Sequence, residues 1–175
     1  MPEEREGLKR FAFAIGGGAL GALLVKTLYD DTKKSRAEKD DAEGVEWLCT
    51  LIGDLLEEWT PRSYSTEEEY TEALYRYLNR LLPDQLDEGE EIVVELRPTT
   101  AYGVPDILIN DQLALELKFD PDKSGRDRGI GQCANYSREW ATWMVIIGSR
   151  DRLIEDLERL LAARGLERIK VVSFT

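Results

Sequence analysis

The chain has 175 residues, 42% hydrophobic and 33% charged, enough for one modest domain with an appendage, and its 23 Lys plus Arg against 35 Asp plus Glu give a formal net charge of −12. The sequence contains no His, which excludes Ser-His-Asp triads, Cys-His pairs and His-bearing metal sites and leaves carboxylates, Lys, Tyr, Ser or Cys for any catalysis. The acidic balance argues against a function resting on nonspecific affinity for nucleic acid, because neutralising phosphates needs an excess of Lys and Arg.

From Phe11 to Val25 the run FAFAIGGGALGALLV carries no charge, and Thr27, Leu28 and Tyr29 prolong it past Lys26. A helix over 11–29 would nearly match a hydrocarbon core of roughly 30 Å at about 1.5 Å per residue. The reading is an N-terminal hydrophobic segment over 1–29 whose helix, over 11–29, serves as an uncleaved membrane anchor, with a buried helix of a soluble domain as its alternative. Basic residues after the run (Lys26, Lys33, Lys34, Arg36, Lys39) outnumber those before it (Arg5, Lys9, Arg10), so the larger part is expected on the cytoplasmic side. Gly16, Gly18 and Gly21 spell GxGxxG, but the chain continues into the charged linker 30–44 where a dinucleotide fold needs a second strand. No nucleotide cofactor is therefore expected.

The remaining residues, 45–175, read as one domain. Val45 to Trp59 has helical spacing, with Leu48, Leu51, Ile52, Leu55 and Leu56 on one stripe. Cys49 here and Cys133 downstream lack CxxC spacing and read as small core residues of a reducing compartment. Ser65 opens a capping box for a helix from Thr66 to Leu82, closed by Pro83, whose core stripe is Tyr70, Leu74, Tyr77, Leu78 and Leu81. Strands follow over Glu91–Arg97, Val104–Ile109 and Leu113–Phe119. A polar loop over Asp120–Arg128 then leads to a helix from about Gly129 to Trp140, a buried strand over Trp143–Ile147, a helix over Arg150–Arg164 closed by Gly165, and a last strand over Arg168–Phe174. Trp140 and Trp143 read as core or interface residues.

In Leu113–Phe119 the leucines and Phe119 alternate with Glu116 and Lys118, so the two charged side chains share the face opposite the core. A three-residue hairpin loop, Asn110-Asp111-Gln112, pairs Ile109 with Leu113 and Ile107 with Leu115, which places Asp106 across from Glu116. Two facing carboxylates resist joint ionisation unless a cation sits between them. Mg²⁺ suits such a pair, because it keeps several waters and binds through one or two carboxylates plus substrate phosphate. Lys118 could position or deprotonate a water, or neutralise charge developing on a phosphate. In outline this is a site for metal-dependent phosphodiester hydrolysis.

Pro105-Asp106, nine residues, then Glu116-Leu117-Lys118 resembles the PD-(D/E)xK nuclease superfamily, in its resolvase-like or Mrr-like branches. The resemblance, which covers roughly 66–148, implies an α/β restriction-endonuclease-like αβββαβ core with a mixed central sheet flanked by helices. It implies that Asp106 and Glu116 bind metal, that Lys118 is the catalytic lysine, and that an acid on the first helix joins them. Helical phase selects Glu67, which shares the stripe of Tyr70 and Leu74, over Glu68 and Glu69. The family's helix after the sheet carries a Gln, matched by Gln132, which with Arg128 and Tyr136 lines one helix face.

Lys123, Arg126 and Arg128, extended by Arg138, form the candidate phosphate-contacting patch together with Tyr136. The expected function is thus a Mg²⁺-dependent DNA endonuclease, with Mn²⁺ as a substitute and a homodimer admitted. The alternative is a catalytically silent nuclease-fold domain acting as a membrane-anchored adaptor.

Overall fold

The computed structural model describes residues 42–86, 91–148 and 151–174. The segment read as a hydrophobic helix over 11–29, and nearly all of the 30–44 linker, lie outside these residues. Among the described residues no helix is long and apolar enough to cross a membrane. The chain divides between Glu46 and Trp47 into two units, the second of which carries every strand found among the described residues.

The described elements are α1 (residues 42–58), α2 (Glu67–Leu81) with a 3₁₀ turn (Leu82–Gln85), β1 (Val94–Leu96), β2 (Ile107–Ile109), β3 (Leu113–Phe119), α3 (Lys123–Tyr136), β4 (Ala141–Ile147), α4 (Asp151–Ala163) and β5 (Lys170–Phe174). They form an α/β fold with a five-stranded mixed sheet in the order β1-β2-β3-β4-β5. The first three strands are antiparallel, whereas β4 and β5 run parallel to β3. Three strands in a meander followed by two crossover helices dictate this change of direction, because a parallel neighbour needs a long connection.

The apolar residues of α1, α2 and one sheet face make the main core. There Leu48, Ile52, Leu56, Leu74 and Leu78 meet Ile107, Ile109, Leu113, Leu115, Leu117, Trp143 and Val145. The other face is covered as well, by α3 and α4, with Ile130 and Cys133 packed on Met144, Ile146 and Leu157, and Tyr136 and Trp140 packed on Leu108 and Ala114. The anticipated face of Glu116 and Lys118 is therefore no solvated surface.

The hairpin register agrees with the sequence reading: Ile107 pairs with Leu115 and Ile109 with Leu113. Asn110 and Asp111 both take positive φ, 53° and 51°, a conformation that Asn and Asp tolerate better than other residues with side chains. Several boundaries differ from those expected. The cap of α2 is Thr66 in place of Ser65, since the Thr66 hydroxyl accepts from the Glu69 N–H and Glu69 accepts from the Thr66 N–H. The strands β1 and β2 are short, starting at Val94 and Ile107. Most important, α3 begins at Lys123, capped by the Asp122 carboxylate accepting from the Gly125 N–H at 2.7 Å, and ends at Tyr136. Most of the expected 120–128 loop is thus helix.

Candidate functional site

The ladder between β2 and β3 ends at the pair Ile107 and Leu115, which brings Asp106 opposite Glu116. The Asp106 backbone carbonyl accepts from the Arg97 N–H at 3.0 Å, and its carboxylate Oδ2 accepts from the Leu117 N–H at 2.8 Å. Pro105, immediately before it, has no N–H to continue the ladder. The Asp106 side chain therefore takes over where backbone pairing stops and satisfies a donor of β3 that would otherwise be orphaned.

Glu116 and Lys118 share one face of β3 and are 1% and 4% exposed, which rules out a solvated ion pair. The Lys118 ammonium donates to Glu116 Oε1 at 2.8 Å, to Glu67 Oε1 at 3.0 Å and to the Leu117 carbonyl at 2.7 Å. Its three donors are thereby all used. Glu67, the first residue of α2, also accepts from the Phe119 N–H through Oε2 at 3.3 Å. The phase of α2 accounts for this choice of acid: Glu69 caps the helix and Glu68 pairs with Arg97 at 2.7 Å.

Burial, reinforced by the neighbouring Asp106 charge, pushes the Glu116 carboxyl up to about 7, against the opposing pull of Lys118. Burial also raises Asp106, opposed by its bond from the Leu117 N–H and by the Lys118 charge. For Lys118 burial disfavours the ammonium, yet Glu116 and Glu67 outweigh it and hold the group above the ordinary lysine value. The site is thus a shielded carboxylate pair reluctant to ionise fully, with a saturated, permanently charged lysine beside it.

Glu116 Oε2 is buried without a hydrogen-bond partner, and Asp106 commits only Oδ2. Among the described residues no group of three or more His, Cys, Asp or Glu side chains converges to hold a metal ion. Asp106 and Glu116 alone supply the free carboxylate oxygen for a cation. Glu67, expected as a third ligand, spends both oxygens on Lys118 and on the Phe119 N–H.

Of the α3 residues, Gln132 is half-buried with Oε1 unpartnered. Tyr136 carries a phenol pKa raised by burial and by the Glu116 charge and lowered by a hydrogen bond with Gln132. Tyr136 is itself buried, and its hydroxyl donates to the Val104 carbonyl at 2.9 Å. That corrects its expected role as a surface contact to nucleic acid. Lys123 and Arg128 are exposed, and Arg126 is half-buried with its Nε unpartnered. Arg138 lies beyond the other end of the 14-residue α3, about 21 Å from its start by the rise of a helix, so it does not extend their patch.

Two residues bearing on the site went unnoticed in the sequence. Gly129 lets α3 approach so closely that a Cβ there would sit 3.2 Å from Lys118 Cε; the Gly125–Gly129 spacing, four residues apart on one helix face, was the available signal. Arg97 lends Asp106 its charge from the end of β1. Nothing in its sequence context marked it.

No protein-family model, curated protein or solved structure matches this chain.

Proposed function

We propose that this chain is a metal-dependent nuclease of the PD-(D/E)xK type, with a restriction-endonuclease-like domain over 45–175, that hydrolyses DNA phosphodiester bonds as an endonuclease. The observation that carries the reading is Glu116 Oε2, a buried carboxylate oxygen without a partner, facing a second carboxylate beside a saturated lysine.

This donor set fits Mg²⁺, or Mn²⁺ as a substitute, through Asp106 and Glu116, with water and substrate phosphate completing the shell. Bound there, the ion would acidify a water and polarise the phosphate. The chain's own groups do the rest. Lys118, held as the ammonium, stabilises negative charge growing on the phosphate and does not act as a resting base. Glu67 positions Lys118, and Gln132 offers Oε1 to a proton of the attacking water. Lys123, Arg126 and Arg128 receive flanking phosphates.

The test is plasmid cleavage by the full chain with Mg²⁺, Mn²⁺ or EDTA, beside Asp106→Ala and Lys118→Ala. Metal-dependent nicking reduced on the order of 10²- to 10³-fold or more by each substitution is expected. Nicking that persists in EDTA, or in Asp106→Ala, would refute the reading.

A second reading is favoured by one observation: the Lys118 ammonium is already satisfied by Glu116, Glu67 and the Leu117 carbonyl. A silent nuclease-fold adaptor would keep such a closed cluster. Absence of both cleavage and metal binding would select it.

A further inference from the structure

On the outer side of α2, away from Glu67, lies a groove of about 380 Å³ lined by Trp59, Thr60, Pro61, Arg62, Tyr64, Ala73, Arg76, Tyr77 and Arg80. Ala73, Arg76, Tyr77 and Arg80 fall at i, i+3, i+4 and i+7, one face of the helix. Such a face ordinarily continues a core. Here the small Ala73 leaves space and two arginines flank it, while the segment after α1, closed off by Pro61, supplies Arg62, Tyr64 and Trp59 as the opposite wall.

The charge is out of keeping with the chain. In a protein of net charge −12, three guanidinia line this groove and no carboxylate does. Arg76 has one partner, Glu72 at 3.6 Å, with both side chains largely exposed, a pairing worth little in water. Arg80 lies over the Tyr77 ring, 5.9 Å from its centroid. Among the described residues Arg62 makes no ion pair, and Glu58 places a negative charge near Tyr77. The floor is aromatic and fixed: the Tyr77 hydroxyl donates to the Leu55 carbonyl at 2.8 Å, and Trp59 packs edge-on against Phe174.

Guanidinia form paired hydrogen bonds with phosphate, and aromatic walls take a flat ring. The volume lies in the range of small-ligand pockets. We propose that this groove is a binding site for a nucleotide phosphomonoester, in which Arg62, Arg76 and Arg80 hold the phosphate and the Trp59, Tyr64 and Tyr77 side receives the base. The site is independent of Asp106, Glu116 and Lys118 and stands whether or not those residues cut DNA.

Calorimetric titration of the full chain with 5′-AMP, adenosine and inorganic phosphate, in EDTA so that no divalent cation takes part, tests the proposal. One equivalent of 5′-AMP is expected to bind about tenfold or more tighter than either fragment. The exposed pair Arg76→Gln/Arg80→Gln should lose about tenfold or more in affinity with its unfolding midpoint unchanged, while Arg159→Gln on α4, an exposed arginine outside the groove, should bind as the parent does. Adenosine binding as tightly as 5′-AMP, no saturable binding of 5′-AMP, full binding by the double variant, or an equal loss in Arg159→Gln would each overturn it.

Discussion

Along β3, Leu113, Leu115 and Leu117 alternate with Ala114, Glu116 and Lys118, and all six are shielded from water. The two sets meet different surroundings. The leucines enter a core of aliphatic and aromatic groups from α1 and α2, where each fully buried side chain contributes about 1.5–3 kcal/mol. Glu116 and Lys118 meet Asp106, Glu67 and the glycine face of α3. There desolvation of two charges roughly cancels their attraction. One strand thus holds a face that stabilises the fold and a face whose contribution to stability is set by protonation, and the second is where chemistry is to be sought.

The largest break in this comparison is on the apolar face. Leu117→Ala, at a fully buried position, should cost about 3 kcal/mol within a range of roughly 2–5, read by urea unfolding, while on the proposed function cleavage per folded molecule changes little. A loss of cleavage at full stability would show the faces are not separate.

A comparable effect, of opposite character, is expected from pH on the charged face. The folded Glu116 pKa of about 7 lies above that of an unfolded glutamate. The folded state therefore holds the proton more tightly, and the stabilisation present below about pH 4 is lost as pH rises through 7. In stability curves from pH 5 to 8, Glu116→Gln should lack this decline, amounting to roughly 3 kcal/mol at most. On the proposed function the same ionisation frees the carboxylate for metal, so cleavage by the parent should rise with pH and level off above 7. Parallel stability curves for parent and variant would contradict the assignment.

A smaller effect is expected where α3 meets Lys118. Gly129→Ala places a methyl 3.2 Å from Lys118 Cε and 3.4 Å from Met144 Cε, so the lysine must yield by a few tenths of an ångström. Stability should shift by less than about 1 kcal/mol, because the helix gains by losing a glycine. On the proposed function, cleavage should fall about tenfold, consistent with the sensitivity of catalysis to small misplacements. An unchanged rate would show that the position of Lys118 is not critical.

How much of this was legible in the sequence depended on the range of the interaction. Strict alternation in Leu113–Phe119 and the Asn110-Asp111 turn specify which residues share a face and the hairpin register, both local properties. The phase of Tyr70 and Leu74 likewise points Glu67 toward the sheet. The start of α3 was hidden because Lys123–Arg128 has no apolar periodicity; its signal was the Asp122 cap. The burial of Glu116 and Lys118, and the turning inward of Tyr136, depend on how closely α3 packs on the sheet, at Gly129 above all. That approach is tertiary, and no hydrophobic pattern encodes it.

Asp106 and Glu116 are proposed to form a cation site, and binding of Mn²⁺ to the full chain, followed by its paramagnetic resonance signal at pH 8, is the direct test. Saturable binding is expected, lost in Asp106→Asn and in Glu116→Gln and displaced by Mg²⁺. Equal binding by the parent and both variants, or no binding by the parent, would contradict it.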